Sequence, residues 1–368
     1  MYLITFASSC FFLSMSERKK YKNVRVLLIA IALLIPSIIA GVRDYSVGTD
    51  VLLYGNAWFE KACSYSSMYQ YLMKAKEYSV GLGYAAVNYL VSRFSSSPHM
   101  FYFIYELLLL IILYNALRPY KEKINISYAF IVYYLLFFNN SLNILRQAMA
   151  IVLVLYSYKF ARKDEFVKFT IVIIVAYLFH SSAIVGIVIY PICWAYSRQF
   201  DKRWIKPLVV LSSFSLICGY RLVFDFLAKS ILIPGLRYEK YLSQDIIGGR
   251  YIGLVYWTII ILFLINTRQK NKNIISDAVV IETILYMSAT FVLLPFLGSA
   301  LLSRISFYFD VFQVLYLPVV ATNLKIVCGN NKATKVTKKI VVLLPVITYW
   351  LVAFIVRNGA HTYPYTFM

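Results

Sequence analysis

Long apolar runs separated by short polar clusters set the pattern of this chain. The run VRVLLIAIALLIPSIIAGV, residues 24–42, carries one charge near its start and then continues unbroken to Arg43. Runs of roughly 18 or more apolar residues recur along the sequence, long enough to cross a hydrocarbon core about 30 Å thick as helices. Strands of a membrane barrel would instead alternate over about 10 residues. The pattern predicts an all-α fold, a polytopic transmembrane helical bundle.

The polar interruptions are basic. Six clusters, at 16–25, 118–123, 159–168, 198–206, 267–272 and 325–339, hold 24 of the 37 Lys and Arg residues. Such clusters mark the cytoplasmic side of membrane helices. Neighbouring inside clusters are joined by an even number of spans, so FTIVIIVAYLFHSSAIVGIVIYPICWAYS between two of them reads as two short helices with a bend near His180-Ser181-Ser182. The same logic puts FFNNSLN (137–143) and the approach to Arg304 at outer bends. Residues 81–97 read as a re-entrant or interfacial helix on the outer face. MYLITFASSCFFLSMSERKK places its apolar part before its charges, the reverse of a cleavable signal, and reads as a short first membrane helix. The layout predicts about 12 spans in a single integral membrane domain. Its outer-face loops are 43–80 and 231–250, with an outer tail at 358–368. No period of 20–50 residues repeats.

Composition sharpens this picture. The chain of 368 residues is 61% hydrophobic and 14% charged, whereas soluble domains are about a quarter charged. A net charge of +21 raises nucleic acid as a partner, but the cations sit in the loop clusters, so the bilayer is expected and nucleic acid is not. The five cysteines show no metal-ligand spacing, and none of the three histidines is spaced as a ligand pair. Phosphate-binding loops, dinucleotide fingerprints and nucleophile elbows are absent. No metal or cofactor is expected.

The layout gathers scattered polar residues on the outer side. Arg43, Asp44 and Asp50 follow the second span, with Gly48 and Thr49 between them. Arg146 and Gln147 open a middle span, His180 marks a bend, and Arg304 and Tyr308 sit in a late span. Arg237 and Arg250 belong to an outer loop. Ionisable groups at membrane depth are expensive and mark function. Arginine offers a charged planar fork suited to phosphate. A neighbouring carboxylate or imidazole suits activation of a hydroxyl. Blander roles stand beside these: Arg43 snorkelling to head groups, Asp44 pairing with an arginine, Asp50 capping the next helix, His180 bonding backbone at its bend.

Four segments together resemble the EpsG family of Wzy-like polysaccharide polymerases. They are AGVRDYSVGTDVLLY, NSLNILRQAMAIVLVLYSY, AYLFHSSAIVGIVIYPI and LSRISFYFDVFQVLYLP, in the family's order. The resemblance implies a polymerase of a surface glycan (O-antigen, capsule or exopolysaccharide) at the outer face of the bacterial inner membrane. Donor and acceptor would be undecaprenyl pyrophosphate-linked oligosaccharides, with no metal or nucleotide sugar. A GT-C-like arrangement is among the forms open to such a bundle, and a chain-length regulator is among the partners open to it. Carried over by motif, the site residues are Arg43, Gly48, Thr49, Asp50, Arg146, Gln147, His180 and Arg304. A flippase for lipid-linked oligosaccharide and a glycan ligase are the alternatives.

Overall fold

The computed structural model describes residues 1–18, 21–198, 202–219, 250–267, 276–293, 300–324 and 331–368. Among them the chain is helical, apart from one isolated bridge between Arg43 and Phe367. It forms two compact units. The first comprises Met1–Lys159, Val167–Ile184 and Val346–Met368; the second comprises Phe160–Phe166 and Val185–Pro345.

In the first unit, α1 (Tyr2–Glu17) packs along α2 (Lys22–Gly41), and α2 packs along α6 (Pro98–Leu117). Hydrophobicity gives helices little reason to associate in lipid, so small residues and hydrogen bonds hold such contacts. Here Ser9 donates to the Ala32 carbonyl at 2.7 Å and meets the Tyr134 hydroxyl at 2.7 Å. Three short helices follow α2: α3 (Asn56–Ser64), α4 (Met68–Glu77) and α5 (Leu82–Ser92). The segment 43–80, expected as an outer-face connection, is largely helical, with Trp58, Phe59 and Tyr71 buried. At 11 residues, α5 is about 16 Å long, too short to span.

After α6 the chain turns into α7 (Ile126–Tyr133), capped by Asn125, whose side chain accepts from the Tyr128 N–H. A π-turn over Tyr134–Phe138 carries it into α8 (Asn139–Asn143). Ile144 leaves helical geometry, and α9 (Leu145–Ala161) begins. The bend predicted at 137–143 thus falls at its far end. α10 (Phe166–Phe179) stops at His180, where a 3-10 stretch (Ser181–Val188) leads to α11 (Ile189–Ser197). These are the two short helices expected there, with the break at the polar triplet.

The second unit is built around α14 (Ser276–Leu293), which α12 (Lys202–Cys218), α13 (Arg250–Thr267) and α15 (Ala300–Asp310) all contact. Buried polar groups on α14 are paired: Glu282 with Lys206 at 3.0 Å, Thr283 with the Tyr196 hydroxyl at 2.7 Å. Arg304 lies within α15. The bend expected on the approach to Arg304 falls largely on residues 294–299, outside the described residues; a 46° bend at Val311–Phe312 leads into α16 (Gln313–Asn323). The chain then enters α17 (Asn331–Trp350), continued by a π-turn over Leu351–Val356.

Three described helices are long and apolar enough to cross a membrane: Lys22–Gly41, Pro98–Tyr120 and Val336–Val356. The bent pair Arg304–Asp310 and Gln313–Asn323 makes a fourth if it is one broken span, and shorter apolar helices accompany these. Among the described residues that is fewer clear spans than the 12 expected over the whole chain; other apolar runs form helices of 10–17 residues, one pair of them divided by the break at His180.

Candidate functional site

The segment after α2 folds back beneath the last residues of the chain. Met368 donates its N–H to the Val42 carbonyl, Asp44 to Thr366, and Gly48 to His361 (2.8–3.2 Å). Tyr365 donates its hydroxyl to the Ile39 carbonyl at 2.6 Å, and Tyr2 donates to Thr362 at 2.6 Å. Asn139 anchors this strap from within the bundle: its amide donates to Thr362 Oγ1 at 2.8 Å and accepts from the Trp350 indole at 2.8 Å.

Arg43 lies under the strap, 1% exposed. Its Nη1 donates to the Leu142 carbonyl at 2.7 Å, and its guanidinium stacks 4.6 Å from the centre of the Tyr102 ring. Its Nε has no hydrogen-bond partner among the described residues. Burial pulls the guanidinium below its ordinary pKa, while Tyr102 and then Glu106 oppose that shift. Glu106 is itself buried, on α6, and accepts from Ser141 at 3.0–3.1 Å. Among the described residues Asp44 meets no arginine. It accepts from the Ser46 hydroxyl at 2.6 Å and the Ser46 N–H at 2.9 Å, and these hold its carboxyl below the usual range.

The Gly-Thr-Asp motif is bolted to α8. Gly48 has φ +92°, and a Cβ there would lie 2.5 Å from the Leu142 carbonyl oxygen. Asn143 Oδ1 accepts from the Thr49 N–H and hydroxyl, both at 2.8 Å, and from the Asp50 N–H at 3.3 Å. An asparagine distant in sequence thus does the capping. Asp50 makes no side-chain cap bond; its Oδ2 accepts a short hydrogen bond from the Tyr54 hydroxyl.

Tyr54 joins Asp50 to Arg146. The Arg146 guanidinium lies 4.5 Å from the centre of the Tyr54 ring, and its Nη1 donates to the Ser79 carbonyl at 3.4 Å. Burial, then the Asp50 charge, push the Tyr54 phenol well above its ordinary pKa, so it stays a neutral donor. Asp50 and Arg146 are half-buried. The next residues of that stretch reach Phe179, the residue before His180: a Cβ on Gly81 would strike the Phe179 carbonyl at 2.3 Å, and one on Gly83 would strike the Phe179 ring at 2.8 Å. His180 follows at the end of α10, its Nδ1 2.7 Å from Ser182 Oγ. Gln147 is buried beside Arg146.

The first unit therefore brings together Arg43, Gly48, Thr49, Asp50, Arg146 and Gln147, with Asp44 on the strap side and His180 beyond the 79–83 turn. Arg304 and Tyr308 belong to α15 of the second unit, half-buried and buried respectively. Arg250 opens α13, and Arg237 lies outside the described residues. Tyr54, Glu106, Asn139 and Asn143 were not singled out from sequence. Glu106 carried a signal all the same, a lone carboxylate inside FYFIYELLLLIIL.

A model of the EpsG family matches residues 26–367. No curated protein and no solved structure matches the chain. The matched range takes in the strap, the Gly-Thr-Asp turn and the Arg146 and His180 segments alike. On a match that spans nearly the whole sequence, the chain belongs to the EpsG family, whose members are Wzy-like polymerases.

Proposed function

We propose that this protein polymerises lipid-linked oligosaccharide repeats into a bacterial surface polysaccharide at the outer face of the inner membrane. Family membership implies a polysaccharide polymerase role; the carrier, the side of the membrane and the span count of about 12 are part of the proposal. The observation that carries the site is the Asp50–Tyr54–Arg146 cluster: a carboxylate and a guanidinium held on two sides of one phenol.

In the proposed reaction, a hydroxyl of the incoming lipid-linked repeat attacks the anomeric carbon of the growing chain. The new glycosidic C–O bond forms as the bond to undecaprenyl pyrophosphate breaks. Asp50 or His180 takes the hydroxyl proton. Arg146 stabilises the charge that develops on the departing pyrophosphate, which stays on its carrier. Arg43, buried and stacked, supports the turn that presents Asp50. Gly48 and Thr49 shape that turn. Arg304 and Tyr308 of the second unit are proposed substrate contacts, and Arg304 is tested with the others. A chain-length regulator remains a proposed partner.

The test is glycan length on a gel from cells whose own gene is deleted and replaced by Ala variants at Arg43, Asp50, Arg146, His180 or Arg304. Loss of long polymer with accumulation of single capped repeats, at normal protein levels, supports the reading. Long polymer in all five variants sinks the site. Complete loss of exported repeats on deletion points to a flippase instead.

A further inference from the structure

A built concavity of the first unit lies away from Arg43. A cavity of about 1160 Å³ opens between α2, α6 and the start of α7. On α2 its wall is Val26, Ile29, Ala30 and Leu33; on α6 it is Leu107, Ile111 and Tyr114. The spacings are those of one helix face each. The stretch between Arg25 and Arg43 is 18 residues, about 27 Å of helix rise. The cavity therefore sits near the opposite membrane edge from the proposed catalytic cluster.

One end of this apolar trough is charged. Lys22, Arg25, Arg118, Lys121 and Lys123 line it, against Glu17 and Glu122. The two carboxylates are already engaged. Glu17 accepts from Asn125 Nδ2 and from the Ile126 N–H, each at 2.7 Å, and so holds the first turn of α7. Glu122 lies 3.4 Å from Lys121. No ion pair or hydrogen bond among the described residues holds the side chain of Arg25 or Arg118. Gly41 at the end of α2 meets Phe103 near the start of α6, so the two helices run antiparallel and bring Arg25 and Arg118 to the same end of the trough.

An anion with a long apolar tail satisfies both halves of this surface. We propose that the cavity binds one anionic phospholipid, its phosphate between Arg25 and Arg118 and an acyl chain along the Ile29–Leu33 and Leu107–Ile111 wall. A free phosphate would leave the apolar wall facing water. A zwitterionic lipid would bring an ammonium group to a cluster already rich in cations. Basic pockets between membrane helices recognise anionic head groups in this way. The inference does not rest on polymerase activity, since it is read from lipid retention alone.

The full-length protein, purified in a mild detergent, is examined by native mass spectrometry after exposure to phosphatidylglycerol, to phosphatidylcholine or to inorganic phosphate. Phosphatidylglycerol is expected to be retained one per chain and the other two not. Arg25→Gln with Arg118→Gln should weaken that retention roughly 25-fold, about fivefold per cation. Lys76→Gln with Lys163→Gln removes the same charge elsewhere and should leave it unchanged. Ala30→Trp fills the trough without touching a cation and should also abolish retention. Helical circular dichroism and a single gel-filtration peak establish that each variant is folded. Equal retention of both lipids, equal effects of the two double variants, or retention that survives Ala30→Trp overturns the proposal. Inorganic phosphate displacing the lipid at matched concentration would make this an anion site only and would also overturn it. So would a stoichiometric protein that phosphatidylglycerol fails to displace.

Discussion

Gly48 approaches Leu142 so closely that a Cβ on Gly48 would lie 2.5 Å from the Leu142 carbonyl oxygen. The same carbonyl accepts from the buried Arg43 guanidinium at 2.7 Å. Two residues of the Arg-x-x-x-x-Gly-Thr-Asp stretch therefore converge on one peptide group of α8. Gly48→Ala meets two obstacles, the backbone contact and φ +92°. The substitution is expected to cost about 2 kcal/mol or more and to lower the thermal midpoint in detergent. Leu142 offers no side-chain adjustment that relieves a clash with its own carbonyl. An unshifted midpoint would contradict this packing.

Tyr54 makes two separable contacts. Tyr54→Phe keeps the ring beneath Arg146 and removes the hydroxyl from Asp50. Tyr54→Leu removes both. If the ring positions Arg146 for catalysis, polymer length should fall further in the leucine variant than in the phenylalanine variant. Arg146→Lys should behave like the leucine variant, because an ammonium lacks the planar face that stacks on the phenol. Equal polymer length in Tyr54→Leu and wild type would remove the tyrosine from the site.

The Arg43 and Glu106 charges are both buried, and each acts on the other's ionisation. Arg43→Gln leaves Glu106 without its opposing charge, and Glu106→Gln does the reverse while keeping an acceptor for Ser141. The double variant should be less damaged than the sum of the singles, with a coupling of about 0.5–3 kcal/mol. Thermal melts of the four proteins measure it. Strict additivity would show that the two charges act independently.

What was legible in the sequence is what local pattern encodes. The polar triplet at 180–182 interrupts an apolar run, and the helix breaks there. The residue types of the Gly-Thr-Asp turn marked it as special. Long-range partners were not legible. Arg43 at the end of an apolar run reads equally as a snorkelling or a ligating cation; the strap that buries it comes more than 300 residues later. Asp50 follows Gly-Thr in a capping pattern, yet the cap is supplied by Asn143 and the carboxylate is taken by Tyr54. Composition alone does not separate continuous apolar runs from runs divided by π-turns and bends, since both have the same composition.

Alkaline pH should act through two phenols of the 51–84 region, half-buried Tyr54 and buried Tyr84. Burial raises the Tyr54 and Tyr84 pKa values in the fold. A raised folded value means stability is fully present below the unfolded phenol pKa of about 10 and is lost as pH climbs toward the folded values. Tyrosinate absorbance should therefore show these phenols titrating only together with unfolding, above pH about 10. Tyr54→Phe should remove one phenol from that cooperative step. A Tyr54 that titrates at its ordinary value in the folded protein would contradict its pairing with the Asp50 carboxylate.

The strap gives the sharpest test of the local geometry, because it hides a protease site. Trypsin cleaves after arginine, and Arg43 is 1% exposed beneath residues 361–368. In the folded full chain, cleavage after Arg43 should be undetectable while exposed cations such as Lys76 are cut. Asn139→Ala removes the hydrogen bonds to Thr362 and Trp350 that hold the strap from below, leaving the Trp350 indole without its acceptor at a cost of about 1–3 kcal/mol. Ending the chain after Arg357 removes the strap entirely. The expected order of cleavage after Arg43, read by mass spectrometry of early digests, is full chain, then Asn139→Ala, then the truncated chain. Both variants should retain the α1–α2–α6 packing, whose contacts the strap does not supply, so their helical signal should persist while the Arg43 bond becomes accessible. Rapid cleavage after Arg43 in the folded full chain would show that the strap does not cover it.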